Sequence, residues 1–124
     1  SENEFLQSLD ANFIITKRPK EKMLGGLWEL PGGKREKGES LKKGLIREIK
    51  EELNINIEVG SKMGMIKHAY SHMKIKLHAY QCKIKNGNIK MNVCEDLKWI
   101  KSKNISQYSF PTANHKLFKK IEGL

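Results

Sequence analysis

The chain is poor in several residue types, and each shortage excludes something. Cysteine occurs only at Cys82 and Cys94. Two thiols cannot form a disulfide framework, and no second pair completes a zinc-binding spacing. The expectation is therefore a cytoplasmic protein with both thiols reduced. No apolar run approaches the roughly 20 residues of a membrane-spanning helix, and no secretory signal is read at the start. Arginine is scarce too: Arg18, Arg35 and Arg47 are the three arginines among 24 basic residues. Repeats, low-complexity stretches and linkers are missing, so residues 1–124 are expected to form a single domain. A chain of this length buries about two thirds of its unfolded surface, enough for a core without metal or disulfide staples.

Positive charge is abundant. Lys and Arg number 24 against 14 Asp and Glu, a net charge of +10 and a pI near 9.6. Such an excess attracts polyanions, either nucleic acid or small nucleotides. A solvated lysine-rich surface gives the same count, so charge alone does not choose among them.

Hydrophobic periodicity places the elements. Phe13 to Lys17 is β-rich, and Glu4 to Leu9 is expected to pair with it across Asp10-Ala11-Asn12. Residues Leu24 to Gly38 read as a glycine-rich structured loop with one short strand around Leu27 to Leu30. Ser40 is a candidate N-cap for a helix to about Leu53, with Leu45, Ile46, Ile49 and Leu53 toward the sheet. The period then changes to two, through Met63-Met65 and Met73-Ile75-Leu77-Ala79 to Cys82 and Ile84. Asn86-Gly87-Asn88 signals a turn, with further strands predicted near Ile89 to Val93 and Leu97 to Ile100. Phe110-Pro111 opens a last helix with Leu117, Phe118 and Ile121 on its apolar side. Helices and antiparallel-type strands in this order indicate an α+β or α/β sandwich.

The segment richest in chemistry is Gly33 to Ile55. On a helical wheel with Glu48 at zero, Glu51 falls at about −60° and Glu52 at about +40°, so three carboxylates share a face. Gly44 lies one turn earlier and is expected to leave open space beside them. Like charges at these spacings repel. A hard divalent cation with oxygen ligands relieves that repulsion, and the Pro31-Gly32-Gly33 turn can bring a backbone carbonyl near the same ion. An ordinary solvated acidic face carries the same three glutamates.

The full spacing resembles the Nudix box, G-x5-E-x7-R-E-U-x-E-E-x-G-U with U aliphatic, at Gly33, Glu39, Arg47, Glu48, Ile49, Glu51, Glu52 and Ile55. Asn54 stands where the family has glycine, and asparagine is the next-best residue for a left-handed helix end. The resemblance implies an α/β fold, a Nudix-type α/β/α sandwich with a mixed central sheet. It also implies Mg²⁺- or Mn²⁺-dependent hydrolysis of a nucleoside diphosphate linked to another group. By position, Glu51 and Glu52 resemble the main metal ligands, Glu48 a further ligand or the base, and Gly32 the carbonyl donor. Glu39 and Arg47 resemble an ion pair bracing loop to helix. A further acid is expected from a downstream loop, with Glu95 and Asp96 as candidates.

Within the family the chain resembles the MutT-like nucleoside triphosphate pyrophosphohydrolases at Ile15-Thr16-Lys17-Arg18, Leu30-Pro31-Gly32-Gly33-Lys34 and Phe110-Pro111-Thr112-Ala113-Asn114. That resemblance implies that Arg18 and Asn114 recognise an oxidised guanine, as in 8-oxo-dGTP, and that Lys34 touches phosphate. The C-terminal domain of the adenine glycosylase MutY is also similar, at Leu24 to Pro31 and His68-Ala69-Tyr70-Ser71-His72. That likeness implies lesion recognition in DNA through Ser71 and His72. A His68/His72 metal pair is a third option. The intact Glu48-Glu51-Glu52 set favours a free-standing hydrolase, because a binding module needs no aligned acids.

Overall fold

The structure, a computed structural model, describes residues 2–6 and 12–122. The element order is β1 (Glu2–Leu6), β2 (Phe13–Lys17), β3 (Trp28–Glu29), β4 (Gly32–Lys34), α1 (Leu41–Leu53), β5 (Asn56–Tyr70), β6 (Met73–Asn86), β7 (Asp96–Ile100), a 3₁₀ turn (Ser102–Gln107) and α2 (Thr112–Glu122). The strands form a four-stranded sheet, β4-β1-β6-β5, and a three-stranded sheet, β3-β2-β7. The first is mixed, since β1 runs parallel to β6 and antiparallel to β4. Among the described residues no helix is long and apolar enough to cross a membrane.

Alternation along β2 divides the core in two. Phe13 and Ile15 pack with Leu30, Leu77, Leu117 and Phe118, whereas Ile14 packs with Leu45, Ile49 and Leu53. Successive strand residues point to opposite faces, so β2 has α2 behind one face and α1 behind the other. This is the α/β/α sandwich that the sequence implies.

Helix α1 is capped at both ends. Ser40 Oγ accepts from the Lys43 amide at 3.1 Å. Asn54 turns left-handed at φ 61° and ψ 27°, donating its amide to Lys50 O. Its side chain also donates to Asn88 O at 3.2 Å. Asn54→Ala is expected to cost about 1–2 kcal/mol in urea unfolding, because alanine has no local hydrogen bond to offset the left-handed strain. Asn54→Gly is expected to cost less.

Four expectations need correction. Ile46 is 37% exposed while Leu45, Ile49 and Leu53 are buried, so the apolar stripe is the narrower i, i+4, i+8 row. The space beside Gly44 is filled: a Cβ there would lie 2.9 Å from Arg35 Cβ and 3.3 Å from Glu39 Oε1. Strand β1 does not pair with β2, whose two edges are taken by β3 and β7; residues 7–9 of the expected strand and 10–11 of the expected turn lie outside the described residues. The stretch from Ile89 to Val93 is no strand. Its Lys90 and Asn92 amides instead donate to the α1 carbonyls of Leu53 and Glu52, at 2.9 and 3.1 Å. A helix end leaves its last carbonyls without partners, and these amides serve them.

Candidate active site

The glycine loop and α1 converge on a cavity of about 310 Å³. Glu48 and Glu52 reach it from α1, Gly32, Gly33 and Lys34 from β4, Glu29 from β3, and Arg18 from the end of β2. At Gly33 any Cβ would strike the Glu48 carboxylate, so the absence of a side chain lets the loop lie directly on that acid.

The carboxylates are crowded and withdrawn from water. Burial, then the Glu48 and Glu29 charges, push the Glu52 carboxyl up to about 8, while a main-chain hydrogen bond from Gly32 works the other way. Burial also raises the Glu29 carboxyl, outweighing the Arg18 guanidinium beside it. Arg18 Nη1 lies 3.1 Å from Glu29 Oε2, and Arg18 Nε donates to Met23 O at 2.8 Å. Among the described residues no three acidic, histidine or cysteine side chains are gathered tightly enough to form a metal site alone. The donor set nonetheless fits Mg²⁺, which is usually held by one or two carboxylates with water and substrate phosphates.

Arg47 ties the loop to the helix. Its Nε and Nη2 donate to the two Glu39 oxygens at 2.8 and 2.9 Å. Nη1 donates to Glu48 Oε1 at 2.8 Å and Glu51 Oε2 at 3.2 Å, and Nη2 also reaches Lys34 O at 3.1 Å. The Arg47 hydrogen bonds, with one from the Glu36 amide, hold the Glu39 carboxyl at about 2. A lowered folded-state value means the stabilisation is complete above the ordinary carboxylate range near 4.5 and is lost as pH falls toward 2. Between pH 5 and 2 the native chain is therefore expected to lose melting temperature more steeply than Glu39→Gln.

A second cavity, of about 250 Å³, adjoins the first and shares Arg18, Glu29 and Lys34 with it. Its other walls include Leu24, Tyr70, Met73, Ile75, Leu77 and Asn114. Asn114 is buried in the first turn of α2, and its Nδ2 has no hydrogen-bond partner among the described residues.

The structure thus brings together Glu48, Glu52, Gly32, Arg18, Lys34 and Asn114. It leaves Glu51 and Glu95 outside both cavity walls. The Glu51 side chain is 58% exposed and paired with Arg47. Glu95 is exposed, its amide bonded to Lys17 O. Asp96 bonds the adjacent Leu97 amide at 2.8 Å. Glu29 is the acid that sequence reasoning missed, because it stands outside the helical pattern; its place in Trp28-Glu29-Leu30, beside the glycine loop, was the available signal. His68 and His72 are engaged separately. Lys116 Nζ lies 2.8 Å from His68 Nδ1, and Ser71 Oγ lies 3.1 Å from His72 Nδ1.

Comparison with known proteins decides the family. A NUDIX domain model matches residues 5–120. The chain belongs to the Nudix family. It is 30% identical to the CTP pyrophosphohydrolase of Escherichia coli (strain K12) over 93% of this chain and 85% of that one. It is 32% identical to an 8-oxo-dGTP diphosphatase of Buchnera aphidicola (subsp. Schizaphis graminum), over 89% and 83% respectively. The solution structure of the E. coli ORF135 protein superposes with a TM-score of 0.80 at 28% identity, covering 99% of this chain and 87% of that one. Similarity to MutY is present as well: the human adenine DNA glycosylase is 25% identical over 94% of this chain, which covers 22% of that protein. The chain is a Nudix hydrolase of MutT-like type. Nudix hydrolases generally use divalent metal ions such as Mg²⁺.

Proposed function

We propose that this Nudix hydrolase cleaves a nucleoside triphosphate to the monophosphate and pyrophosphate with Mg²⁺ or Mn²⁺, and that it clears oxidised purine nucleotides such as 8-oxo-dGTP. The observation that carries this reading is the pair of adjoining cavities. One is lined by acids and a glycine loop, the other by apolar side chains and Asn114, and Arg18, Glu29 and Lys34 stand between them. Glu48 and Glu52 would hold the cation, with Gly32 beside them; Glu51 would have to leave Arg47 to join them. When bound, the ion offsets phosphate charge and makes an attacking water more acidic. Glu48, which accepts a hydrogen bond from Arg47 at 2.8 Å, would orient that water. Lys34 would meet the phosphates from the loop, and the Glu39–Arg47 pair keeps loop and helix in register.

The test is a hydrolysis panel of 8-oxo-dGTP, dGTP, CTP and dCTP with Mg²⁺, following monophosphate and pyrophosphate. Preference for 8-oxo-dGTP is expected; preference for CTP would move the substrate toward that of the E. coli relative and overturn the oxidised-purine assignment. Asn114→Ala is expected to lower kcat/KM for 8-oxo-dGTP roughly 10- to 100-fold while dGTP changes far less, since only the preferred base loses its partner. Equal losses for both nucleotides would reduce Asn114 to a structural role.

The MutY likeness supports a second reading, lesion recognition in DNA. The Ser71–His72 turn is exposed next to Tyr70 of the apolar cavity. Tight binding at physiological salt to duplexes holding 8-oxoguanine opposite adenine would favour it. Weak binding lost steeply with salt is expected of a nucleotide hydrolase with this charge.

A further inference from the structure

Two residues of the apolar cavity each bury a polar atom that has no hydrogen-bond partner among the described residues: Tyr70 Oη and Asn114 Nδ2. Buried polar groups are almost always hydrogen-bonded, so each orphan calls for an explanation. These two come from different elements, the end of β5 and the first turn of α2, yet line one space. The remaining surface there is largely apolar, with Leu24, Met73, Ile75, Leu77 and Pro111. A few fixed polar groups on an apolar wall are the usual make-up of a small-molecule site.

Both groups are held in place. The Tyr70 ring meets His68 edge-on, with centroids 4.4 Å apart and planes at 73°. Lys116 in turn lies 2.8 Å from His68 Nδ1. Asn114 is 4% exposed, and its main-chain N–H donates to Pro111 O at 3.0 Å. Neither side chain has to be ordered when a ligand arrives.

We propose that the Tyr70 hydroxyl is a specificity-determining contact that, with Asn114 Nδ2, reads two polar groups on the edge of a bound nucleobase, at least one of them an acceptor. This rests on the nucleotide reading of the paired cavities. The acceptor requirement follows from Asn114, whose Nδ2 only donates; the Tyr70 hydroxyl both donates and accepts. A site of this kind selects against bases lacking the matching group, because its own polar atoms then stay unpaired.

The test compares the native chain with Tyr70→Phe, which keeps the ring and removes one oxygen. The ligands are 8-oxo-dGMP, GMP, CMP and purine riboside 5′-monophosphate, which has no exocyclic base group. Without ligand, Tyr70→Phe should melt at the same temperature or higher, since the hydroxyl has no partner to lose. For the tightest-binding monophosphate its dissociation constant should rise roughly 5- to 50-fold, with a smaller ligand-induced melting shift. Purine riboside monophosphate should bind both proteins alike. Unchanged binding of every monophosphate would overturn the proposal, as would absence of binding to the native chain. So would a melting temperature several degrees lower in unliganded Tyr70→Phe, which would show a structural role. Triphosphate turnover by the native chain is measured separately. Turnover with unaltered Tyr70→Phe binding removes the hydroxyl contact and leaves the hydrolase. Altered binding without turnover removes the hydrolase and leaves the contact.

Discussion

Glu52→Gln is expected to lower turnover at least ~100-fold, equivalent to about 2.7 kcal/mol of barrier, while leaving the protein folded. Glu52 shares its cavity with Glu48 and Glu29, and burial with these neighbours holds its carboxyl near 8. Such crowding is unfavourable until a cation compensates it. A glutamine has nearly the same shape but offers one neutral carbonyl in place of an anionic ligand, so the loss should fall on catalysis. Folding should be unaffected or improved, because glutamine removes an ionisable carboxyl that is costly to bury beside Glu48 and Glu29. Melting curves and steady-state rates with saturating Mg²⁺ check both parts. Chelation of divalent ions from the native chain should abolish turnover similarly. Full activity in Glu52→Gln would remove this residue from the metal-binding role.

Arg47→Ala is the second large change. One guanidinium serves Glu39 through two bonds, Glu48 and Glu51 through one each, and the Lys34 carbonyl. Hydrogen bonds to charged partners are worth more than neutral ones, and truncating one partner leaves the others poorly compensated. The expected loss is about 2–4 kcal/mol in chemical denaturation, together with a fall in kcat because Glu48 is no longer held. Arg47→Lys should recover only part of either, since an ammonium cannot reproduce the fork across Glu39. An Arg47→Ala protein of native stability would mean that the network is solvated surface.

What could be read from the chain divides along the range of the interactions. Helix α1 was legible from Ser40 to Asn54 because its signals are local: a hydroxyl that reaches the Lys43 amide, an apolar residue at every fourth position, and an asparagine able to turn left-handed. The shared face of Glu48 and Glu52 followed from the same helical geometry. Pairing of β1 was not legible, because its neighbours β4 and β6 are brought there by the rest of the fold. Ile89-Met91-Val93 alternates like a strand, yet the intervening amides serve a helix end distant in sequence. Glu51 belongs to the acidic pattern but turns toward Arg47, a choice made by the guanidinium rather than by helical phase. Glu29 reaches the site from β3, and no helical periodicity could have included it.

The segment clasped to the end of α1 also sets how this region opens. Lys90 and Asn92 bind the Leu53 and Glu52 carbonyls, and Asn92 Nδ2 adds a bond to Glu51 O at 2.9 Å. Val93 and Cys94, next in the chain, form part of the cavity wall. The final helical turn, the acids it carries and that wall are therefore expected to come apart together as one local unfolding unit. In native-state hydrogen exchange, the Lys90 and Asn92 amides should share one opening free energy, and a nucleotide bound between wall and acids should slow both in step.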